Sequence, residues 1–464
     1  MTTTIREIWH NFYAYSTLHG LHFVFESAFV IRRVLWAILL CGMTVTFLYF
    51  GIQGFRKWRR NEVFVTTQIE SPKELQFPSV TVCNKNMLKK SKIMGHDGQR
   101  YMDGLDYNFM KDWTKIYKEM NASFDIEKEV IKNGHSATDV ITKCKFNSAP
   151  KCKFTSFFES RSGRCHTITN IGLVSKLGEA YGLTMLLDAE PHEYYGPFSW
   201  DGTGFKIAIH NSSEIPSMDV EGINIPTGFT TNLRIRKKER HNLPYPYPTK
   251  CGERKLKSST VYTESRCFIE SYARKGADDC HCRMLGLPVI GEENKQLCSL
   301  ENITSCMYPA LYKHQYNPSE CPIRCTINSY AMDISSLVYP SESFWTVMNG
   351  NKDITQMQYK YSTSNVNNVS FKDWYRSRFA RVNVFFNSKV IQVTREVPSF
   401  DGVDFAGNLG GNMGLYLGCS CLTLVEFIDV FVLVIIQRFK KKIIKVSPKS
   451  EREDPAPNVL PESN

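Results

Sequence analysis

Residues 408–437 read NLGGNMGLYLGCSCLTLVEFIDVFVLVIIQ, and they form the most informative apolar segment of the chain. It is long enough to cross a bilayer, yet it begins with closely spaced glycines and carries Glu426 and Asp429 in its second half. Carboxylates within an apolar helix are costly in lipid, so they face water or a partner. The stretch therefore predicts a membrane crossing that does more than anchor the chain.

A second apolar stretch lies near the start of the chain. Residues 34–55 contain no charged side chain, and their 22 positions match the roughly 20 residues that span a hydrocarbon core. The first sixteen residues lack the apolar core of a signal peptide, so we expect export to depend on this segment. The C-terminal segment is longer than a bilayer requires, which indicates tilt, a break or an extension.

The cysteines indicate where the loop between the two crossings resides. Three of the 15 cysteines lie in apolar segments, and the other 12 fall between Cys83 and Cys325. An even, dense set in one region is typical of disulfides in an oxidising compartment. No CxxC spacing occurs, so we predict no metal site and no cofactor. Four Asn-X-Ser/Thr sequons are compatible with an extracellular loop: Asn121, Asn211, Asn302 and Asn368.

Two crossings with an external loop place both termini in the cytoplasm, and the basic residues that precede the first crossing and follow the second agree. Alternating apolar residues in FPSVTVCN (77–84) and RVNVFFNSKVIQVTREV (381–397) predict strands, so we expect an α+β plasma-membrane protein with central strands and peripheral helices. The predicted layout is a cytoplasmic N-terminus at 1–33, transmembrane helix 1 at 34–55, an extracellular cysteine-rich domain at 56–403, a pore-lining transmembrane helix 2 at 404–437, and a basic, disordered cytoplasmic tail at 438–464.

The net charge of +11 does not indicate nucleic-acid binding, because the basic residues are scattered or flank the apolar segments. On a helical wheel, Gly410, Gly414 and Gly418 form a small-xxx-small stripe that Leu422 and Glu426 continue. Such a stripe allows symmetry-related helices to approach a common axis, where acids attract cations. Ser420 lies off this face, so a constriction formed by residues 418–420 requires the helix to break there.

At this point the sequence resembles the degenerin, epithelial sodium channel and acid-sensing channel family. Gly418-Cys419-Ser420 occupies the place of the Gly-X-Ser selectivity motif, and His19-Gly20 matches the His-Gly gating motif before the first crossing. FPSVTVCN, GRCHT, GLTMLLD, CHCRM and YPALY have counterparts in the same order, over roughly residues 8–440. Each motif is weak alone, but their order around two crossings is specific.

The resemblance implies a trimeric, sodium-preferring channel in membrane lipid, with a disulfide-rich ectodomain built on a β-sheet palm. It implies a pore with Asn408 at the outer mouth, Gly418, Cys419 and Ser420 at the narrowest part and Glu426 below. It implies gating roles for His19, Gly20 and Tyr247. The implied disulfides are Cys83–Cys165, Cys144–Cys152, Cys251–Cys325, Cys267–Cys321, Cys280–Cys306 and Cys282–Cys298.

The gating stimulus is less clear. Acid-sensing members oppose thumb and finger carboxylates, which raise each other's pKa. Here Tyr308 and Tyr312 stand in the thumb positions, and the finger side keeps only Glu214 and Asp219. We therefore predict an extracellular neuropeptide ligand, as in the cnidarian-like subgroup, with acid gating and constitutive opening as alternatives.

Other protein classes explain less of the sequence. A two-pass adhesion receptor accounts for the loop and its disulfides, but not for Glu426 or the glycine stripe. An ATP-gated trimeric channel would lack the Gly-X-Ser motif. No Gly-x-Ser-x-Gly, HExxH or phosphate-loop motif occurs, so we predict that the protein is not an enzyme. Homomeric and heteromeric assembly with related subunits both remain open.

Overall fold

The structure is a computed structural model that describes residues 4–105, 120, 124–150, 152–159, 161–169, 171–290, 296–313, 320–364 and 369–446. The chain divides into two compact units. Residues 1–64 and 398–464 form the first, and residues 65–397 form the second.

The first unit is helical. Thr4 caps its first helix, because its hydroxyl accepts from the Glu7 N–H while the Glu7 carboxylate accepts from the Thr4 N–H, a capping box. The third helix is long and apolar enough to cross a membrane and extends past the predicted 34–55 segment at both ends. The N-terminal helices are α1 (Ile5–Tyr15), α2 (Leu21–Glu26) and α3 (Val30–Arg59).

The C-terminal apolar segment is broken. It forms two helices whose axes differ by 77°, and the pair passes the length and hydropathy test for a membrane span only when taken together. The prediction of one continuous stripe from the glycines to Glu426 is therefore wrong. Residues before and after Gly418 belong to two helices with different axes, so a single helical wheel does not describe both. In the numbering used below, the two helices are α15 (Gly402–Leu417) and α16 (Cys421–Val446).

The second unit is built on three β-sheets. The predicted strands in FPSVTVCN and RVNVFFNSKVIQVTREV are confirmed. The strands are β1 (Val63–Glu70), β2 (Leu75–Gln76), β3 (Ser79–Asn84), β4 (Ile141–Phe146), β5 (Lys153–Glu159), β6 (Gly163–Thr169), β7 (Leu173–Val174), β8 (Leu183–Asp188), β9 (Gly204–His210), β10 (Ile223–Pro226), β11 (Phe229–His241), β12 (Thr326–Val338), β13 (Phe379–Phe386) and β14 (Ile391–Pro398).

The largest sheet has seven strands in the order β1-β14-β11-β13-β8-β4, and β12 pairs with β11 off this path. A five-stranded sheet has the order β10-β9-β3-β6-β5, and β2 pairs with β7. The main core lies between the two large sheets: Val80 and Val82 of β3 and Leu233 and Ile235 of β11 belong to one buried cluster. Side chains alternate along a strand, and on the other face of the five-stranded sheet Cys83, Cys165 and Ala208 join Met218 in a smaller buried cluster.

Short helices surround these sheets. Several carry an Asp, Ser or Asn cap at the first turn, which satisfies N–H groups that lack intrahelical acceptors. The helices of this unit are α4 (Lys90–Ile93), α5 (Asp97–Gly104), α6 (Ile126–Asn133), α7 (Ala137–Val140), α8 (Met218–Glu221), α9 (Glu264–Cys280), α10 (Leu300–Asn302), α11 (Tyr308–Lys313), α12 (Glu342–Val347), α13 (Lys352–Thr363) and α14 (Phe371–Arg378).

Disulfides join these elements across long stretches of sequence. Cys83 and Cys165 lie directly opposite each other on β3 and β6, with Cα atoms 4.4 Å apart. The described residues contain six disulfides, and their pairs are those that the resemblance implies: Cys83–Cys165, Cys144–Cys152, Cys251–Cys325, Cys267–Cys321, Cys280–Cys306 and Cys282–Cys298. Cys41, Cys419 and Cys421 are free thiols.

Candidate pore constriction and its N-terminal contact

The break between α15 and α16 is built by Gly418. Its φ of +61° lies in the left-handed region, which glycine adopts without a Cβ penalty. The following Ser420 N–H donates to Thr423 Oγ1 at 3.1 Å and starts α16. Three residues, Gly418, Cys419 and Ser420, thus form a short irregular segment between two apolar helices.

A segment preceding the first crossing reaches this break. The His19 Nδ1–H donates to the Gly418 carbonyl oxygen at 2.6 Å. A Cβ at position 418 would overlap the His19 ring. The predicted gating histidine and the predicted selectivity glycine are therefore in direct contact within one chain.

The same segment contacts Glu426, one and a half turns into α16. The Thr17 N–H donates to Glu426 Oε2 at 3.0 Å, and the Ser16 hydroxyl donates to the same oxygen at 3.4 Å. The hydroxyls of Thr17 and Thr423 are 2.6 Å apart. Ser16, Thr17 and His19 thus each place a polar group against a partner at or beside the break.

Apolar packing holds α1 against α16. Phe12 is buried with Val430 and Val434, and its ring lies 4.9 Å from that of Phe427. Burial of a large side chain of this kind contributes about 1.5–3 kcal/mol. The hydrophobic contact and the hydrogen bonds at residues 16–19 together fix the N-terminal segment under the break.

Gly20 explains how the chain turns between these contacts and the first crossing. Its φ is +90°, a conformation that L side chains rarely adopt. A Cβ there would lie 3.1 Å from the Trp36 ring. The His-Gly pair therefore combines a donor for the break with a residue that allows a tight turn.

Aromatic contacts hold α3 against α15. Phe50 stacks on Tyr416, and Trp58 stacks on Phe405. Asn408 accepts from the Asn412 amide at 2.9 Å, and its Oδ1 atom lies beside Gly54 of α3. In the single chain, Asn408 thus faces the first crossing.

Three glycines of α15 are left uncovered. A Cβ at Gly407, Gly410 or Gly411 would meet no atom within 4 Å among the described residues. Gly51 and Gly54 of α3, in contrast, lie against side chains of α15. The open glycine face is thus on the side of α15 that does not pack on α3, where small residues permit close helix approach.

The remaining predicted residues belong to the second unit. Tyr247 is half-buried in a turn where its N–H donates to the Pro244 carbonyl, and within the described residues its ring stacks on no other ring. Asn302 is exposed and Asn211 is half-buried. Asn121 and Asn368 lie outside the described residues.

Sequence reasoning missed the role of Phe12, Ser16, Thr17 and Thr423. The amphipathic pattern of IREIWHNFYAY, with Ile5, Ile8 and Phe12 at helical spacing, could have indicated a packed N-terminal helix. No local signal indicates that its partner is α16, because the contacting residues are separated by about 400 positions.

Comparison with known proteins identifies the family. Residues 12–430 match the family model described as ASC, amiloride-sensitive sodium channel. The chain belongs to the amiloride-sensitive sodium channel family. Among similar relatives, acid-sensing ion channel 2 of Rattus norvegicus is 25% identical over 94% of this chain and 88% of its own length. Acid-sensing ion channel 4-B of Danio rerio is 24% identical over 97% of this chain and 80% of its own.

The relatives also include acid-sensing ion channel 4 of Rattus norvegicus, 26% identical over 92% of this chain and 79% of its own. A cryo-EM structure of a proton-activated chloride channel covers 86% of this chain and 98% of its own at 5% identity, but its TM-score of 0.32 is too low to support a conclusion. As a member of the amiloride-sensitive sodium channel family, the protein is a transmembrane ion channel of sodium transport. The family consists of channels and not enzymes.

Proposed function

We propose that the protein is a subunit of a trimeric, sodium-preferring channel of the plasma membrane, with α3 and the broken pair α15–α16 crossing the lipid and both termini in the cytoplasm. Gly418, Cys419 and Ser420 form the narrowest part of the ion path. Asn408 lies at its outer mouth and Glu426 at its inner end. The uncovered glycine face of α15 supports an approach of three copies around one axis.

The observation that carries this proposal is the hydrogen bond from His19 to the carbonyl of Gly418. An irregular backbone at membrane depth is tolerated where it is buried in protein or lines a water-filled path. The N-terminal segment covers one side of the break, and the other side is left for the ion path. Backbone oxygens there replace part of the hydration shell of a cation, and Glu426 supplies negative charge.

We further propose that an extracellular peptide opens the channel. Close carboxylate pairs sense protons, but here the finger-side carboxylates are paired with cations. Glu214 lies 2.6 Å from Arg324, and Asp219 lies 3.0 Å from Lys206. Each of these carboxylates thus contacts a cation, unlike the opposed carboxylates of an acid sensor, which raise each other's pKa. Tyr312, in the thumb position of an acid sensor, is exposed.

Acid gating is the second candidate, because the named relatives are acid-sensing ion channels. Burial raises the pKa of Glu221, which lies near Glu214. This carboxyl group is therefore one that takes up a proton more readily than an exposed glutamate. Constitutive opening is distinguished from both candidates by current in the absence of any stimulus.

The test is electrical. The chain is expressed alone and with related subunits, and current is recorded during steps to acid and during application of amidated peptides, in sodium and then in potassium. We expect peptide-evoked sodium current, and we expect Ser420→Leu to change the sodium-to-potassium ratio. Cys41→Ser, on α3, is the matched control. Absence of current in every combination, with correct surface expression, contradicts the proposal.

A further inference from the structure

The outward face of the seven-stranded sheet carries a stripe of cations that the ion path does not use. Along β11, Leu233 and Ile235 point into the core, whereas the alternate residues Arg234, Arg236, Lys238 and Arg240 are exposed. All four therefore share one face of one strand. This stripe accounts for the RIRKKER cluster of the sequence.

The stripe is only partly neutralised. Arg236 Nη2 lies 3.2 Å from each carboxylate oxygen of Asp333 on β12. Arg240 donates to Asn242 at 2.8 Å and lies 3.6 Å from Glu396. Within the described part of the chain, Arg234 and Lys238 have no hydrogen-bonding or ion-pair partner. Two cations without a contacting acid thus alternate with two that contact one, and Asp333 lies opposite Arg234 in the β11–β12 ladder.

Further cations continue this face across the sheet. Arg381 of β13 lies opposite Thr230 of β11. Thr230 points to the same side of the sheet as Arg234, because alternate residues of a strand share a face. On β4, Lys143 and Lys145 lie opposite Leu186 and Thr184 of β8. Residues directly opposite in a ladder share a face, so these three cations point to the same side as the β11 stripe.

These three cations line a cleft of about 740 Å³ between the sheet and α13. Lys143 pairs with Asp353, and Arg381 lies 4.0 Å from Glu179. Lys145 has no ion-pair partner among the described residues. The tyrosines Tyr339 and Tyr375 form another wall of the cleft. Basic side chains therefore extend from the β11 stripe into a cavity that could take a side chain of a ligand.

We infer that this face binds an extended acidic peptide. Alternate residues of an extended chain are about 6.6–6.8 Å apart, so carboxylates at every second position of a peptide match the spacing of the four cations. The stripe spans about 20 Å by the same rise, which is longer than a small anion. Guanidinium groups bind carboxylates through paired hydrogen bonds, and three of the four cations are arginines. A cationic amidated peptide is repelled here.

The test measures binding to the full-length channel in neutral phosphatidylcholine nanodiscs. A fluorescent peptide of alternating glutamate and serine is titrated, with a peptide of alternating lysine and serine for comparison. The double variant Arg234→Gln/Lys238→Gln removes the unpaired cations. The control variant Lys90→Gln/Lys92→Gln also removes two positive charges. Both lysines are exposed residues of α4 and lie outside the β11 stripe.

We expect the acidic peptide to bind the wild type and the α4 control equally, to weaken about tenfold or more in the β11 variant, and to weaken as salt rises. The single variant Lys238→Gln should give a smaller loss in the same direction. Equal affinity in all variants overturns the inference. Equal displacement by tripolyphosphate overturns the assignment to a peptide. Binding and not current is measured, so failure here is distinct from failure of the proposed pore.

Discussion

The Nδ1–H of His19 donates to the carbonyl oxygen of Gly418 over a distance of 2.6 Å. This carbonyl lies just beyond the last turn of α15, where backbone oxygens lack intrahelical donors. The bond thus joins the segment before α3 to the irregular segment between α15 and α16. In the proposed channel, movement of the N-terminal segment therefore changes the geometry of the constriction.

Loss of the imidazole should weaken this link. We expect His19→Ala to reduce sodium current about fivefold, because one hydrogen bond contributes about 1 kcal/mol. His19→Asn, which keeps a donor, should retain more current than the alanine variant. Whole-cell current normalised to surface protein measures the effect. His10→Ala, an exposed histidine of α1, is the control, and an equal loss there would refute a specific role for His19.

A side chain at position 418 should be poorly tolerated. Gly418 has φ of +61°, and an added Cβ would overlap the His19 ring. The left-handed conformation alone costs a residue with a Cβ about 1–2 kcal/mol, and the overlap adds to it. We expect Gly418→Ala to abolish most current or to alter the sodium-to-potassium permeability ratio in voltage-clamp recordings.

Two further variants distinguish backbone strain at residue 418 from the overlap between a Cβ at that position and the His19 ring. Gly42→Ala on α3 should be neutral, since a Cβ there meets no described atom within 4 Å. His19→Ala/Gly418→Ala should recover part of the current lost in Gly418→Ala, because the overlapping ring is gone. If the double variant carries less current than either single variant, the collision is not the cause.

Glu426 should contribute charge as well as structure. Its carboxylate accepts from Thr17 and Ser16, and a glutamine retains an acceptor at that place while losing the charge. We therefore expect Glu426→Gln to lower single-channel sodium conductance while gating persists. Asp429→Asn removes an equal charge from an exposed residue outside this contact. A larger loss of conductance in Asp429→Asn would assign the inner cation site to Asp429.

Local patterns predicted the strands well. FPSVTVCN and RVNVFFNSKVIQVTREV alternate because one face of each large sheet enters the shared core, and this periodicity is visible without knowledge of partners. The uncharged segment 34–55 likewise indicates a membrane helix by length alone, and α3 encloses it. The basic and aromatic residues that follow it simply continue the helix to Arg59.

The break in the second crossing was only partly predictable. Gly418 and the surplus length permitted it, but the helical wheel assumed a regular helix and therefore placed Leu422 and Glu426 on the glycine stripe. Because the two helices are bent by 77°, residues of α16 do not continue the face that the glycines form on α15. His19 contacts the break that Gly418 builds, and these two residues are separated by 399 positions. No local sequence pattern encodes a contact of that separation.

A buried histidine in the second unit is held in surroundings that favour its neutral form. His166 is fully buried; its Nε2–H donates to the His135 carbonyl, and its Nδ1 accepts from the Ser156 hydroxyl. These bonds suit the neutral ring. Burial lowers the pKa of His166 to about 4, and the nearby charge of Arg164 acts in the same direction. In the folded protein, the His166 ring is thus protonated only at a pH well below the ordinary histidine pKa of 6.5.

The sign of the pH effect follows from that shift. Between about pH 6.5 and pH 4 the unfolded chain binds more protons at this residue than the folded chain, so stability falls as pH falls. The full shift corresponds to about 3 kcal/mol. We expect the Tm of the detergent-solubilised channel to fall less between about pH 7.5 and pH 5 in His166→Gln than in the wild type. Glutamine keeps a donor and an acceptor but does not titrate. The control variant His10→Gln should show the same pH dependence of Tm as the wild type. If His166→Gln leaves the pH dependence of Tm unchanged, other groups set the acid sensitivity.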